Sequence, residues 1–335
     1  MDFPRASDGA VVVSHRKDAD GISSAAMIRS LTSAEIFLTD YADMAETLSR
    51  IKNCKELFVC DLGLNPTTFG DFFDELQRLR IKEGASVHYI DHHPINSEYR
   101  SKLTVAGVDI YHSTEECTSV LIYTKYLENL KDSPKMKILA CCGAITDYMD
   151  SRPEARKLIG SFDRQFLLYE ATVLSFSIAT IGRGGEESNR RLIELARDLA
   201  SGKLPHEIDG ASEYAQTYAK RAALLMEKIR DEGVRRKNFA YFKTRESATG
   251  NVANFLIGAF DVPVGVAIRE EEVGFYEISL RSREGSSYDL GKIVGRIASR
   301  LGASGGGHPN ASGARIRESQ LEQFLKMLEE ELSKS

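Results

Sequence analysis

Residues 86–94, SVHYIDHHP, set an acid and two imidazoles at the end of an apolar strand. Val87, Tyr89 and Ile90 read as a buried strand, and Pro94 stops it. Asp91, His92 and His93 then stand at a carboxyl end, where open α/β sheets place their ligands. Alone, a histidine pair in this position is as often a satisfied structural pair as a metal site. Three further segments change that balance. The run VVVS (11–14) feeds His15-Arg16-Lys17-Asp18-Ala19-Asp20-Gly21, with a helix expected from Ile22. The run ELFVC (56–60) ends in Asp61, and KILACCGAIT (137–146), read as another strand, leads into Asp147. Side by side in a parallel sheet, these ends would bring the aspartates and histidines to one crevice.

Electrostatics says what such a crevice must contain. Two like charges about 4 Å apart repel by roughly 4 kcal/mol at an effective dielectric near 20, so most of the carboxyls would be driven neutral. Divalent cations remove that penalty. Imidazole with carboxylate suits Mn²⁺, Fe²⁺, Co²⁺ or Zn²⁺ better than Ca²⁺. Each residue also has a plainer reading. Asp18 or Asp20 alone would cap a helix, and Asp61 before Leu62-Gly63 would mark a turn. It is their company that favours a two-metal site.

Residues 1–150 alternate strand and helix patterns: 10–14, 21–31, 35–38, 43–52, 56–61, 68–83, 86–91, 117–130 and 136–147. That alternation predicts an α/β fold with an N-terminal doubly wound parallel sheet. A helical stretch over 154–186 closes at Gly182-Arg183-Gly184-Gly185, and the polar, helix-rich segment 187–237 reads as a connector. From 238 a smaller α/β domain with a mixed sheet is expected. It has strands near 238–244, 262–269, 274–282 and 311–316, helices near 250–260, 289–301 and from Glu318, and a glycine loop before the last strand. The boundaries are therefore 1–186, 187–237 and 238–335.

The chain of 335 residues exceeds the usual size of one core, and its hydrophobic content of 42% excludes disorder. No apolar run reaches the ~18 residues of a membrane span, and MDFPRASDG lacks the layout of a signal peptide. Five cysteines without metal-type spacing fit reduced thiols and a cytoplasmic setting. A net charge of −5 offers no global attraction to nucleic acid. Polyanion binding would have to come from local patches. Arg281 and Arg283 in ISLRSR share a strand face as i and i+2. In GASGGGHPNASG (302–313), Gly305, Gly306 and Gly307 would let backbone amides approach a phosphate, with His308 as a further donor.

His15–Asp18–Asp20, Asp61, Asp91-His92-His93 and Asp147 resemble, in type and order, the four motifs of the DHH phosphoesterases. Gly305-Gly306-Gly307-His308 resembles the signature of that family's associated DHHA1-type C-terminal domain. Residues 274–308 look like the subgroup containing RecJ nucleases and NrnA-type oligonucleotide phosphodiesterases. Two residues stand between His15 and Asp18, where RecJ-like members usually have one and NrnA-like members three, so the first motif leaves the subgroup open. The resemblance implies two divalent ions, manganese first, with Mg²⁺, Co²⁺ or Zn²⁺ as alternatives. One ion would be held by His15, Asp18 and Asp61, the other by Asp20, Asp61, His92 and Asp147. Asp91 would order an imidazole, or ligate directly, and His93 would face the phosphate or the attacking water.

The expected activity is a phosphodiesterase or exonuclease that releases nucleoside monophosphates from short single-stranded RNA or DNA, 3′→5′ by analogy. The alternatives are action on pAp or on linear and cyclic dinucleotides, a RecJ-like 5′→3′ single-stranded DNA exonuclease, and an inactive scaffold for a replication or repair partner. A manganese-activated pyrophosphatase is a further option that the GGGH context with Arg281 disfavours. No membrane partner is expected.

Overall fold

The structure, a computed structural model, describes residues 9–130, 133–182, 185–246, 248–283 and 285–334. The stretch read against a signal peptide thus lies largely outside the described residues, as do Arg183 and Gly184. The chain divides into two compact units, Met1–Tyr218 and Ala219–Ser335.

The first unit runs β1 (Ala10–His15), α1 (Ala19–Thr32), β2 (Glu35–Thr39), α2 (Met44–Ser49), β3 (Glu56–Cys60), α3 (Phe69–Lys82), β4 (Ser86–Asp91), α4 (Ser97–Val105) and β5 (Asp109–His112). It continues through helices α5 (Thr118–Lys125), α6 (Leu127–Leu130), α7 (Pro134–Thr146), α8 (Pro153–Ile159), α9 (Arg164–Ile181) and α10 (Gly185–Ala200), and into α11 (Ala211–Glu232). The strands pair in the order β2-β1-β3-β4-β5, all parallel. Val12, Phe58, Cys60 and Ile90 pack into the core shared with α1, α5, α7 and α9. Their neighbours Val11, Val13, Leu57, Val59, Val87 and Tyr89 pack into the opposite core with α2 and α3. The two-residue period of a strand thus feeds two apolar layers. That is why these strands read as nearly unbroken apolar runs. The strand order reverses between β1 and β3, which opens a crevice at their carboxyl ends.

The sequence reading placed a strand over 137–146, and here the structure corrects it. The segment is helix α7. The Ser133 side chain accepts from the Met136 amide and Pro134 occupies the first turn, both helix-start signals. Small residues bury almost every side of the helix against α1, α5 and α9. Such a helix has no polar face and so no legible period. The fifth strand is instead β5, a short partly exposed edge that the sequence reading passed over, as it did α4.

In the second unit, β6 (Val234–Arg235), β7 (Phe239–Thr244), α12 (Thr249–Phe260), β8 (Val264–Glu272), β9 (Phe275–Ser282), α13 (Leu290–Leu301), β10 (Ser304–Gly307), β11 (Ala311–Arg317) and α14 (Leu321–Leu332) follow. The sheet order is β10-β11-β9-β8-β7-β6. Only β7 and β8 are parallel, so the sheet is mixed. The glycine run is a strand rather than the expected loop. Gly305, Gly306 and Gly307 pair with Ala314, Gly313 and Ser312. A Cβ at Gly307 would stand 2.6 Å from the Ala311 carbonyl oxygen, and one at Gly291 would collide with the Gly307 carbonyl. Bare backbone is what lets β10 lie between α13 and β11.

Among the described residues, no helix is long and apolar enough to cross a membrane. All five cysteines are free and buried.

Candidate metal centre

His15 ends β1, Asp18 caps α1, and Asp20 lies in the first turn of that helix. The Asp18 carboxylate accepts from the Gly21 amide at 2.9 Å and from His15 Nδ1 at 2.6 Å. Asp61 follows β3 in a left-handed conformation, φ 56°, which an L-residue adopts at a cost of about 1–2 kcal/mol. Asp91 closes β4 and His92 follows it. Asp147 lies at the carboxyl end of α7, not at a strand end as the sequence reading had it.

These side chains gather round Asp61. Ligand atoms of His15, Asp18 and Asp61 lie within 4.8 Å of one another, as do those of Asp20, Asp61 and His92. His92 Nε2 stands 3.3 Å from Asp61 Oδ1 and 3.3 Å from Asp147 Oδ2. Asp20, Asp61, Asp91, His15 and His92 are all buried. Asp91 accepts from the His93 amide at 2.6 Å and lies 3.3 Å from His93 Nδ1. The structure therefore brings together all eight residues singled out in this half of the chain.

Several partners escaped the sequence reading. Asp20 accepts from the backbone amides of Thr118 and Ser119 at 2.8 and 2.9 Å, so the amino terminus of α5 holds it as it would hold an anion. The Thr118 hydroxyl reaches Asp61. Asp40, just past β2, stands 3.7 Å from His15 Nε2 and pairs with Lys17. Tyr41 packs its ring on His15 at 4.6 Å and meets His93 Nε2 with its hydroxyl at 3.1 Å. The strand-end rule that found Asp61 applies equally to Asp40 after EIFLT. Gly143 of α7 gives this cluster its room. A Cβ there would collide with the Ser119 hydroxyl and come 2.6 Å from Asp20 Oδ1.

The protonation balance shows a site short of positive charge. Burial pushes the Asp61 carboxyl up to about 6, and the nearby Asp18 and Asp20 carboxylates add to it. Burial, then the neighbouring carboxylates, raises Asp147 well above the usual range. Burial opposes charge on His15, yet Asp18, Asp40 and Asp61 raise it to about 10. His92 is likewise raised by Asp61 and Asp147 against its burial. Asp91 stays low despite burial because of His93.

Two observations fit a bound metal. His15 Nδ1 faces Asp18 Oδ2 at 2.6 Å and Asp61 Oδ2 at 3.8 Å, a nitrogen donor aimed into that carboxylate pair. The donor set is imidazole with carboxylate, which suits Mn²⁺ and its first-row neighbours. His15, Asp18 and Asp61 would hold one ion, and Asp20, Asp61, His92 and Asp147 a second.

The second unit carries the residues expected to meet a phosphate. Arg281 lies opposite Ala311 in the β9–β11 register and close to Gly250 at the start of α12, where a Cβ would approach its guanidinium. Arg283 instead pairs with Asp261 at 2.6 Å. Asn310 is tied to Ser282, whose amide donates to its carbonyl at 3.0 Å. Gly305–Gly307 lie in strand β10, which presents its amides in alternating directions, rather than in the glycine loop expected from the sequence.

Comparison with known proteins agrees with this geometry. Residues 10–145 match the DHH family, N-terminal domain, and residues 237–334 match the DHHA1 domain. A search of the curated proteins finds no match. Among solved structures, a DHH domain described as a member of the s1p family of ribosomal proteins is similar with a TM-score of 0.69 at 15% identity, over 97% of this chain and 86% of that one. RecJ from Thermus thermophilus, in complex with Mn²⁺, is similar with a TM-score of 0.64 at 17% identity. That likeness covers 97% of this chain but 52% of RecJ, so the chain spans about half of RecJ's length. CDC45 from Entamoeba histolytica is similar with a TM-score of 0.55 at 11% identity, over 97% and 95% of the two chains. At these identities the likeness establishes the fold. With both domain types present in order, and the four motifs of the first gathered round one aspartate, the chain belongs to the DHH family of phosphoesterases.

Proposed function

We propose that this chain is a divalent-metal-dependent phosphodiesterase that releases nucleoside monophosphates from the ends of short single-stranded RNA or DNA, in the 3′→5′ direction. The observation that carries the reading is the convergence of His15, Asp18, Asp20, His92 and Asp147 on Asp61, with His15, Asp20, Asp61 and His92 buried. A scaffold has no use for so many ionisable groups in one place. Two ions, manganese first, would supply charge neutralisation and an activated water.

The chain's own groups do the rest. Asp61 would bridge the two ligand sets, held by the Thr118 hydroxyl. Asp20 is fixed at the α5 terminus through both carboxylate oxygens. Asp91 orders the His93 ring, which would face the scissile phosphate. Arg281 and His308 would take a substrate phosphate, where a guanidinium fork matches the oxygens. Positioning and charge stabilisation then account for most of the rate, as in other phosphoryl transfers.

End-labelled oligonucleotides of graded length, incubated with Mn²⁺, test the proposal. Mononucleotide release from the 3′ end of short strands, absent in Asp20→Ala and His92→Ala proteins that remain folded, is the expected result. Release from the 5′ end would give the RecJ-like polarity instead. Cleavage confined to dinucleotides or pAp would shift the substrate class. Undiminished turnover in both variants would remove the metal centre from the mechanism.

A further inference from the structure

Asp61 belongs to three potential ligand sets, not two. Besides the pair assigned above, Asp61, Asp91 and His93 also offer ligand atoms within 4.8 Å of one another. A two-ion centre must keep this third set from forming. The arrangement around His93 shows how.

The Asp91 carboxylate stands 3.3 Å from His93 Nδ1 and engages that nitrogen. Nε2 is the remaining ligand atom, and the Tyr41 hydroxyl meets it at 3.1 Å. Tyr41 is itself anchored. Its amide donates to Asp40 Oδ1 at 2.9 Å, and its ring rests on His15 with the planes 30° apart. His93 is also held from other sides, backbone and ring. His112 Nε2 donates to the His93 carbonyl at 2.6 Å. Gly63 packs so closely that a Cβ there would come 2.9 Å from His93 Cγ.

We propose that Tyr41 is a positioning residue. Its hydroxyl holds His93 in one orientation, keeping that imidazole out of the ligand set. The inference rests on the two-ion phosphodiesterase reading. It assigns a role to a residue that is neither a ligand nor part of the four motifs.

Tyr41→Phe keeps the ring on His15 and removes only the hydroxyl. With Mn²⁺, the variant should bind two ions as the wild type does, while kcat falls about tenfold to a hundredfold, the usual range for loss of a group that orients a site residue, at unchanged KM. With excess Zn²⁺, ¹⁵N NMR should show His93 taking a metal-coordinated nitrogen shift in the variant and retaining its hydrogen-bonded shift in the wild type. An unchanged kcat, identical nitrogen spectra, or loss of the two-ion loading would each overturn the proposal. The zinc experiment needs no substrate. A wild type that hydrolysed no nucleotide would therefore defeat the proposed function while leaving this arm readable.

Discussion

The Thr118 hydroxyl donates to Asp61 Oδ1 at 3.2 Å, although 57 residues separate the two along the chain. The same residue's amide holds Asp20. One threonine at the start of α5 thus steadies Asp61 and Asp20 together.

Thr118→Val should therefore weaken Mn²⁺ binding by about tenfold to a hundredfold, as loss of a partner behind a metal ligand usually does. The backbone bond to Asp20 survives in this variant. Thr118→Ser should restore most of the affinity. Calorimetric titration of the two variants checks this, and equal affinities in the valine and wild-type proteins would show that the hydroxyl does not steady Asp61.

Asp61, the proposed shared ligand, is also a source of instability. Its backbone is left-handed, and burial beside Asp18 and Asp20 raises its carboxyl from 3.8 to about 6. A folded-state value above the unfolded one means the metal-free fold binds this proton more tightly than the open chain. Its contribution is complete below about pH 4 and is lost as pH rises through 6. Asn tolerates the left-handed region and carries no charge. Asp61→Asn should raise the Tm of the metal-free protein at pH 7 by a few degrees, where 1 kcal/mol is worth about 2–4 °C in a unit of this size. It should also flatten the decline in Tm between pH 4 and 6 and abolish metal loading. Melts with EDTA and with Mn²⁺ measure both halves of this exchange.

Metal loading should release protons. Asp147, His92 and His15 all hold theirs more tightly than usual in the metal-free site, and ligands must give them up to bind. At pH 7 the apparent Mn²⁺ affinity should rise with pH. The binding enthalpy should vary between buffers of different ionisation heat, and a buffer-independent enthalpy would contradict this account.

Arg281→Ala should raise KM for an oligonucleotide by about tenfold or more, since a hydrogen bond to a charged group contributes roughly 1.5–3 kcal/mol. An activated aryl phosphate ester should be affected far less. Equal losses on both substrates would assign Arg281 a structural role beside α12. Arg283→Ala, which breaks only an exposed pair with Asp261, serves as the comparison.

The strand ends of β1, β3 and β4 were legible because each couples a β-branched or aromatic run to a polar break. Parallel packing between two helical layers demands that pattern. Asp147 was singled out as a strand end, but it follows the helix α7. A helix buried on nearly all sides, such as α7, loses the polar face that marks its period, and the run ILACC looks like a strand. The β10 strand was hidden for the opposite reason, since three glycines carry no strand propensity and only the partner β11 defines them. Thr118, Tyr41 and Asp40 were missed because their roles depend on distances across the fold, not on spacing along the chain. Asp40 alone had a local signal.

Gly143 carries one last implication. Because α7 passes so near Ser119 and Asp20 that a methyl group would collide with them, a Gly143→Ala change would act as a hidden lesion of the candidate metal centre. It would displace Asp20, a proposed ion ligand, from a remote stretch of the chain, without altering any side chain of the candidate site. A variant survey that scored only chemically active residues would class this alteration as harmless.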